Sequence, residues 1–254
     1  DTLDKTMASA PTPNVDGALR ELGWLEMLDE IPHEATALVC RLLGETGTHA
    51  GVVNDVVLHA AGRPTGGTVA LPYTGGRWVI WERSDGAGAG SFSTLDGELP
   101  IRTNDSGAEI PVAAAQRALG WWLVGSARAM LSLARRHALD RVQFGRPIAS
   151  FQAVRHRLAE TLVAIEGAEA TLPAATDDLG CLLAKAAAGQ AALTAAKHCQ
   201  QVLAGIGFTA EHDLHRHVQR VMVLDGLLGS ARDLTREAGT LVRLRGSAPR
   251  LAQL

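Results

Sequence analysis

The chain is poor in the features that would fix its class at once. It has three cysteines, Cys40, Cys181 and Cys199, far apart and odd in number. That argues against a disulfide framework and for a reducing, cytoplasmic setting. None has metal-site spacing, so the three read as small core residues. No charge of one sign dominates: 24 basic residues face 27 acidic ones, for a formal net charge of -3. Such a balance gives no reason to expect nucleic acid or an anionic membrane as partner. No uninterrupted apolar run reaches the about 20 residues that span a bilayer. The stretch 1–13 shows no basic segment followed by an apolar one, so no signal peptide is expected. Internal repeats and low-complexity tracts are absent.

What is present is a helical pattern interrupted once. Residues 1–13 read as a frayed terminus. Asn14 is placed to cap a first helix running to Leu28, with Leu19, Leu22, Leu25 and Leu28 at helical spacing and Pro32 as its breaker. Residues 34–61 read as one or two helices, with Leu38, Leu42 and Leu43 on one stripe and Val53, Val56, Val57 and Ala60 on another. Between 62 and 108 glycines cluster around short β-like runs at 68–73, 77–83 and 91–95. The run Arg77-Trp-Val-Ile-Trp-Glu alternates as a half-buried strand should, while 86–90 is a glycine-alanine loop.

From Pro111 the pattern is helical again. Ala115, Leu119, Trp122, Ser126, Met130, Leu133 and His137 step along one face of a long helix ending near Arg141, with Gly145 and Pro147 as stop signals. Phe151, Val154, Leu158, Leu162 and Ile165 mark a second helix, residues 177–204 an alanine-rich third, and Ala231, Leu234, Ala238 and Leu241 a last. The expectation is a mostly α protein with a small β unit: an N-terminal helical region (1–61), a reduced β domain (62–108) and an antiparallel four-helix bundle (109–254). Residues 246–254 read as a tail.

The segment richest in chemistry is Arg141-Val-Gln-Phe-Gly-Arg-Pro-Ile-Ala-Ser-Phe-Gln152. An arginine at a helix end, an aromatic, a glycine turn and a glutamine opening the next helix can offer a guanidinium to a diphosphate and a ring face to a flat ligand. About sixty residues on stands Gln201-Val-Leu-Ala-Gly-Ile-Gly-Phe-Thr-Ala-Glu-His-Asp-Leu-His-Arg216.

Together these two segments resemble the signatures of the acyl-CoA dehydrogenase family. The likeness covers 111–245 well and 14–62 loosely. It implies FAD held across a subunit interface. Arg141 would pair with the diphosphate, Phe144 would pack on the nucleotide, and Gln201 with the backbone of Gly205 would cradle the adenosine-diphosphate part. One departure is Ala204 where the family has the first glycine of a pair, a mild change expected to narrow the groove.

A second departure concerns the base. The family's reaction removes the α proton of a CoA thioester with a carboxylate while the β hydride goes to flavin. The usual Glu position falls on Leu228, and the minority position on the long helix falls near Ala115; neither is acidic. The chain is also far shorter than the roughly four hundred residues usual in the family, and the β unit is too small for a whole flavin pocket. The resemblance therefore points to the base-less subunit of a heteromeric, α2β2 acyl-CoA dehydrogenase, as in actinobacterial enzymes that shorten steroid side chains. A longer homologous subunit would supply the Glu. Two other readings stand beside it: a self-sufficient enzyme with a relocated base, Asp225 or Glu109, and a helical scaffold that has lost flavin. His212, His215 and His217 are close together in sequence but lack an accompanying carboxylate or cysteine, so no metal is expected. Trp121-Trp122 is expected to place one ring inward and one sideways. Arg135, Arg136, Arg216 and Arg220 read as solvated or paired surface charges rather than CoA-phosphate ligands.

Overall fold

The computed structural model describes residues 15–83 and 95–247. The expectations for 1–14, 84–94 and 248–254, including the Asn14 cap, the glycine-alanine loop, most of the strand at 91–95 and most of the tail, fall outside them.

Four helices lead the chain: α1 (Val15–Glu21), α2 (Trp24–Glu30), α3 (Pro32–Thr46) and α4 (Val52–Ala60). The single helix expected up to Leu28 is two. Gly23, at φ 82°, takes a left-handed conformation that an L side chain resists, and the helical hydrogen-bond run is broken there. Pro32 ends the helix before it, α2 stopping at Glu30 with a non-helical Ile31, and at the same time opens α3, where its missing N–H costs nothing. A three-stranded antiparallel sheet follows, in the order β1 (Ala70–Tyr73), β2 (Arg77–Trp81), β3 (Ile101–Asn104). Val79 and Trp81 face the core, as the alternation in 77–81 requires. The third strand has only one large apolar residue, Ile101, and its sequence gave no strand signal.

The rest is helical. The long α5 (Ala113–Asp140) is joined by a tiny hairpin, β4 (Val142–Gln143) and β5 (Arg146–Pro147), to α6 (Gln152–Ala174). Then come α7 (Asp178–Leu203), a 3-10 turn (Ala204–Phe208), α8 (Leu214–Gly226) and α9 (Ala231–Arg245). Asp177 caps α7 by accepting the Gly180 N–H at 2.7 Å, and Ser230 caps α9 by accepting that of Asp233 at 3.2 Å.

α5 is the central rod, packed against α3, α6, α7 and α8. Its approach to α3 is set by paired glycines. A Cβ on Gly44 would lie 2.3 Å from the Trp122 carbonyl oxygen, and one on Gly125 would lie 2.2 Å from that of Arg41. Of the stripe expected on α5, Ala115, Leu119, Trp122, Ser126 and Met130 are fully buried. Trp122 packs on Trp81 with ring centroids 5.5 Å apart, and Trp121 is half-buried, which is the one-inward, one-sideways arrangement. The stripe on α6 behaves differently: only Ile165 is buried, while Leu162 stays exposed. All three cysteines are free and buried.

One hydrophobic core runs from Val15 through the sheet and the bundle to Leu228, so the three expected segments share it. The segment Asp178–Phe208, though interrupted by polar residues, is long and apolar enough by mean hydropathy to match a membrane span. Alanine supplies much of that character, and two-thirds of its most apolar window is buried inside the protein, as befits a core helix.

Two buried ion networks tie distant parts of the chain together. Asp55 accepts from the Trp24 indole at 3.0 Å, the Gly66 N–H at 2.8 Å and the Arg83 guanidinium at 2.6 Å, joining α2, α4 and the sheet. Arg220 of α8, expected at the surface, is 1% exposed. It donates to Asp96, to Glu98 at 3.1 Å, and to the carbonyls of Gly47 and Thr48 at 3.1 and 2.9 Å.

Around Arg220 sit two buried imidazoles, His49 and His217. Burial first, and then the positive charge of Arg220, lowers each to about 4. The unfolded chain takes up protons at these groups near pH 6.5, whereas the folded chain resists until about 4, so their contribution is intact above 6.5 and is lost as pH falls through that window. Each imidazole is worth at most about 3 kcal/mol. The unfolding temperature is expected to drop steeply between pH 6.5 and 4 in a thermal melt series, and His49→Gln to flatten the slope.

Candidate nucleotide site

The end of α5 and the turn after α7 build one cleft. Its lining includes His137, Arg141, Gln143, Ile148, Ala204, Gly205 and Ile206, and its volume is about 440 Å³. Two segments sixty residues apart in sequence thus converge, because α5 and α7 lie along each other over much of their length. The Arg141 backbone N–H closes the helix on the His137 carbonyl at 2.9 Å, and the Arg141 carbonyl accepts the Ile148 N–H at 2.8 Å. The backbone is therefore clamped on both sides while the side chain is exposed. Arg141 forms no ion pair among the described residues. Across the cleft, a Cβ on Gly205 would meet nothing within 4 Å, so the backbone there lies open to a ligand.

These features fit a dinucleotide. A guanidinium without a carboxylate partner suits a diphosphate, and an uncovered glycine lets phosphate oxygens approach the main chain. Of the residues the sequence pointed to, Arg141 and Gly205 share the cleft. Gln201 is exposed just before its wall, and Gln143 stands in the wall instead. Phe144 is 92% exposed at the tip of the hairpin, where Phe144 and Gly145 have φ of 54° and 77°. Two positive φ values in a two-residue loop are those of a type I′ turn, which lets the strands close tightly. The Phe144 ring meets Phe151 edge-on at 6.0 Å, and Phe151 in turn lies under the Arg146 guanidinium at 4.5 Å. Phe144 is thus steered outward, toward whatever lies against this end of the bundle.

Ala204 lines the cleft and carries backbone strain. It holds φ 54° and ψ -136°, a region that only glycine enters freely. Ala204→Gly is expected to raise the unfolding free energy by about 1 kcal/mol, the relief of backbone strain outweighing the added freedom of the unfolded chain. Urea titration of the two proteins measures it.

The positions where a base was sought are closed. Ala115 and Leu228 are buried in the core, at 0% and 3% exposure. The segment carrying Leu228 is stitched to β1: Leu228 N–H donates to the Pro72 carbonyl and Thr74 N–H to that of Gly226, each at 2.8 Å. Tyr73 covers Gly226 so closely that a Cβ there would lie 2.5 Å from its ring. The fully buried Lys185 ammonium donates to the carbonyls of Asp225, at 2.9 Å, and Gly229. Asp225 uses its carboxylate at the start of α9, accepting the Ala231 N–H at 3.0 Å. Glu109 is exposed on the segment before α5. No group of three metal-ligating side chains forms among the described residues, and His217 of the histidine trio is buried beside Arg220.

A family profile, the acyl-CoA dehydrogenase C-terminal domain, matches residues 114–232. Residues 114–232, a little under half of the chain, thus belong to the acyl-CoA dehydrogenase C-terminal domain family. It is similar to the acyl-CoA dehydrogenase FadE34 of Mycobacterium tuberculosis, 33% identical over 215 residues that make up 74% of this chain and 29% of that protein. It is also similar to the acyl-CoA dehydrogenase IpdE2 of the same organism, 40% identical over 116 residues, 44% of this chain and 36% of that one. The match thus spans about a third of the length of these relatives. In fold, the chain resembles a variant of the Tcur3481-Tcur3483 steroid ACAD, with a TM-score of 0.71 at 18% identity, covering 96% of this chain and 93% of that one. It resembles the ChsE4-ChsE5 complex of M. tuberculosis with a TM-score of 0.66 at 18% identity, covering 98% and 95%. At these identities the likeness establishes the acyl-CoA dehydrogenase fold.

Proposed function

We propose that this chain is the base-less subunit of an FAD-dependent acyl-CoA dehydrogenase, binding the nucleotide half of a flavin whose reactive half sits in a longer homologous subunit. The observation that carries this reading is an asymmetry. The cleft with Arg141 and Gly205 is open, while the Leu228 segment, where the family places its base, is hydrogen-bonded shut against β1. A flavin bound between the two subunits supplies the hydride acceptor for α,β-desaturation of a CoA thioester, and the partner supplies the carboxylate that takes the α proton. This chain's part is positional: Arg141 meets the diphosphate, the Gly205 main chain passes beside it, Gln201 flanks it and Phe144 reaches outward over it.

Steroid side-chain CoA thioesters are the substrate class favoured by the neighbours, since the Tcur3481-Tcur3483 protein is a steroid ACAD. We propose an α2β2 arrangement with that partner; the two-part names of the Tcur3481-Tcur3483 and ChsE4-ChsE5 proteins support an unlike partner. The reading is tested by producing the chain alone and with longer homologues, then recording flavin absorbance per chain and oxidation of steroid-CoA thioesters. The expected result is about one flavin per pair of unlike chains, with turnover only in the complex. A lone chain that binds a full complement of FAD and turns over would sink it.

A further inference from the structure

We propose that His137 is a second phosphate-binding residue of the cleft, a titratable cation one helical turn before the permanent charge of Arg141. The inference rests on the reading of this cleft as a nucleotide site. His137 lies in the last turn of α5, Arg141 caps that helix, and both residues line the same cavity. No acidic side chain is among the residues lining it.

The charged groups that face His137 come from two elements. Arg141 and Asp140 lie on its own helix end, and His212 approaches from the segment before α8. Burial lowers the His137 imidazole below the ordinary histidine range; His212 and Arg141 lower it further, and Asp140 opposes them weakly. The His212 Nδ1 accepts the Leu214 N–H at 3.1 Å, which holds that ring in place. With the cleft free, His137 is therefore mostly neutral at pH 7. A diphosphate placed beside it reverses the local field and favours the imidazolium. Binding then draws a proton from solvent onto His137, and affinity increases as pH falls.

The natural probe is ADP-ribose, because each of its phosphates carries one ester and one anhydride bond, leaving only strongly acidic hydroxyls, so the ligand does not itself titrate between pH 6 and 8. Calorimetric titration into the full chain at both pH values, each in two buffers of different ionisation heat, reads affinity and proton uptake together. Roughly five-fold tighter binding at pH 6, with uptake of a fraction of a proton, is the expected result for one coupled imidazole. His137→Gln removes both the pH dependence and the uptake but keeps residual binding, and His137→Asn is a second variant against misfolding of the first. Arg141→Gln weakens binding at both pH values.

The outcomes separate the two claims. Binding that needs Arg141 but is pH-independent, or that keeps its pH dependence in both His137 variants, overturns the role of His137 and leaves the cleft as a nucleotide site. Binding indifferent to Arg141→Gln, or no binding at millimolar ligand, overturns both.

Discussion

Arg220→Met is expected to lower the unfolding free energy by about 3–5 kcal/mol, the range for breaking a buried ion pair from one side. The arginine is one of the largest fully buried side chains, and Asp96, its main partner, is 2% exposed. Removing the guanidinium takes from that buried carboxylate the counter-charge that Arg220 supplies. It also strips donors from the carbonyls of Gly47 and Thr48, which sit where the chain leaves α3. Methionine fills much of the volume, so the loss reports on charge and hydrogen bonding rather than on a cavity. The double variant Arg220→Met, Asp96→Leu is expected to recover much of the loss, because two well-packed apolar residues can replace a buried pair at little cost. Urea denaturation of the wild type, the single variants and the double variant gives the coupling directly. An Arg220→Met loss below about 1 kcal/mol would mean the pair is solvated in solution, as an exposed salt bridge is.

The same residue shows where the sequence could and could not be read. The helices were legible because burial on α5, α7 and α9 follows a 3.6-residue period, and the core positions named from spacing on α5 and α9 are mostly buried. The cleft was legible in part, since Arg141 and Gly205 sit in motifs whose spacing is conspicuous. Arg220 was not, because its acceptors are 122 to 173 positions away in the chain. The Asp55 network and the Lys185 ammonium were hidden for the same reason: a charged residue looks like surface until the fold brings it partners. His137 was read as one more position on the α5 stripe, and only the convergence of α5 with the turn after α7 places it beside Arg141. The strain at Ala204 has a sequence signal, an alanine where a glycine is expected, but its size depends on a backbone angle that sequence does not supply.

The largest functional expectation concerns the position that held a base in the family resemblance. Leu228→Glu is expected to restore no dehydrogenation, and to destabilise the protein by more than Leu228→Gln does at neutral pH. Leu228 is 3% exposed with φ 56°, and its backbone N–H and carbonyl are both taken, by Pro72 and by the Gln116 side-chain amide. Glutamine and glutamate have nearly the same shape, so both pay the packing change and the burial of a polar group, about 1–3 kcal/mol. Only the glutamate adds a charge. Burial raises a carboxyl's pKa in the folded state, so the extra penalty is absent below the ordinary Glu value of about 4.3. It grows as pH rises through that value and levels off at the folded-state pKa. Urea titrations of the two variants should therefore coincide near pH 4 and diverge toward pH 8. The acid sensitivity conferred by His49 and His217 is common to both and cancels in the difference. Curves that stay parallel at all pH values, with CoA-thioester oxidation by the chain itself, would mean that position 228 opens onto water and substrate. The closed junction between β1 and the Leu228 segment would then be a conformation the protein leaves readily, and the base could be placed in this subunit after all.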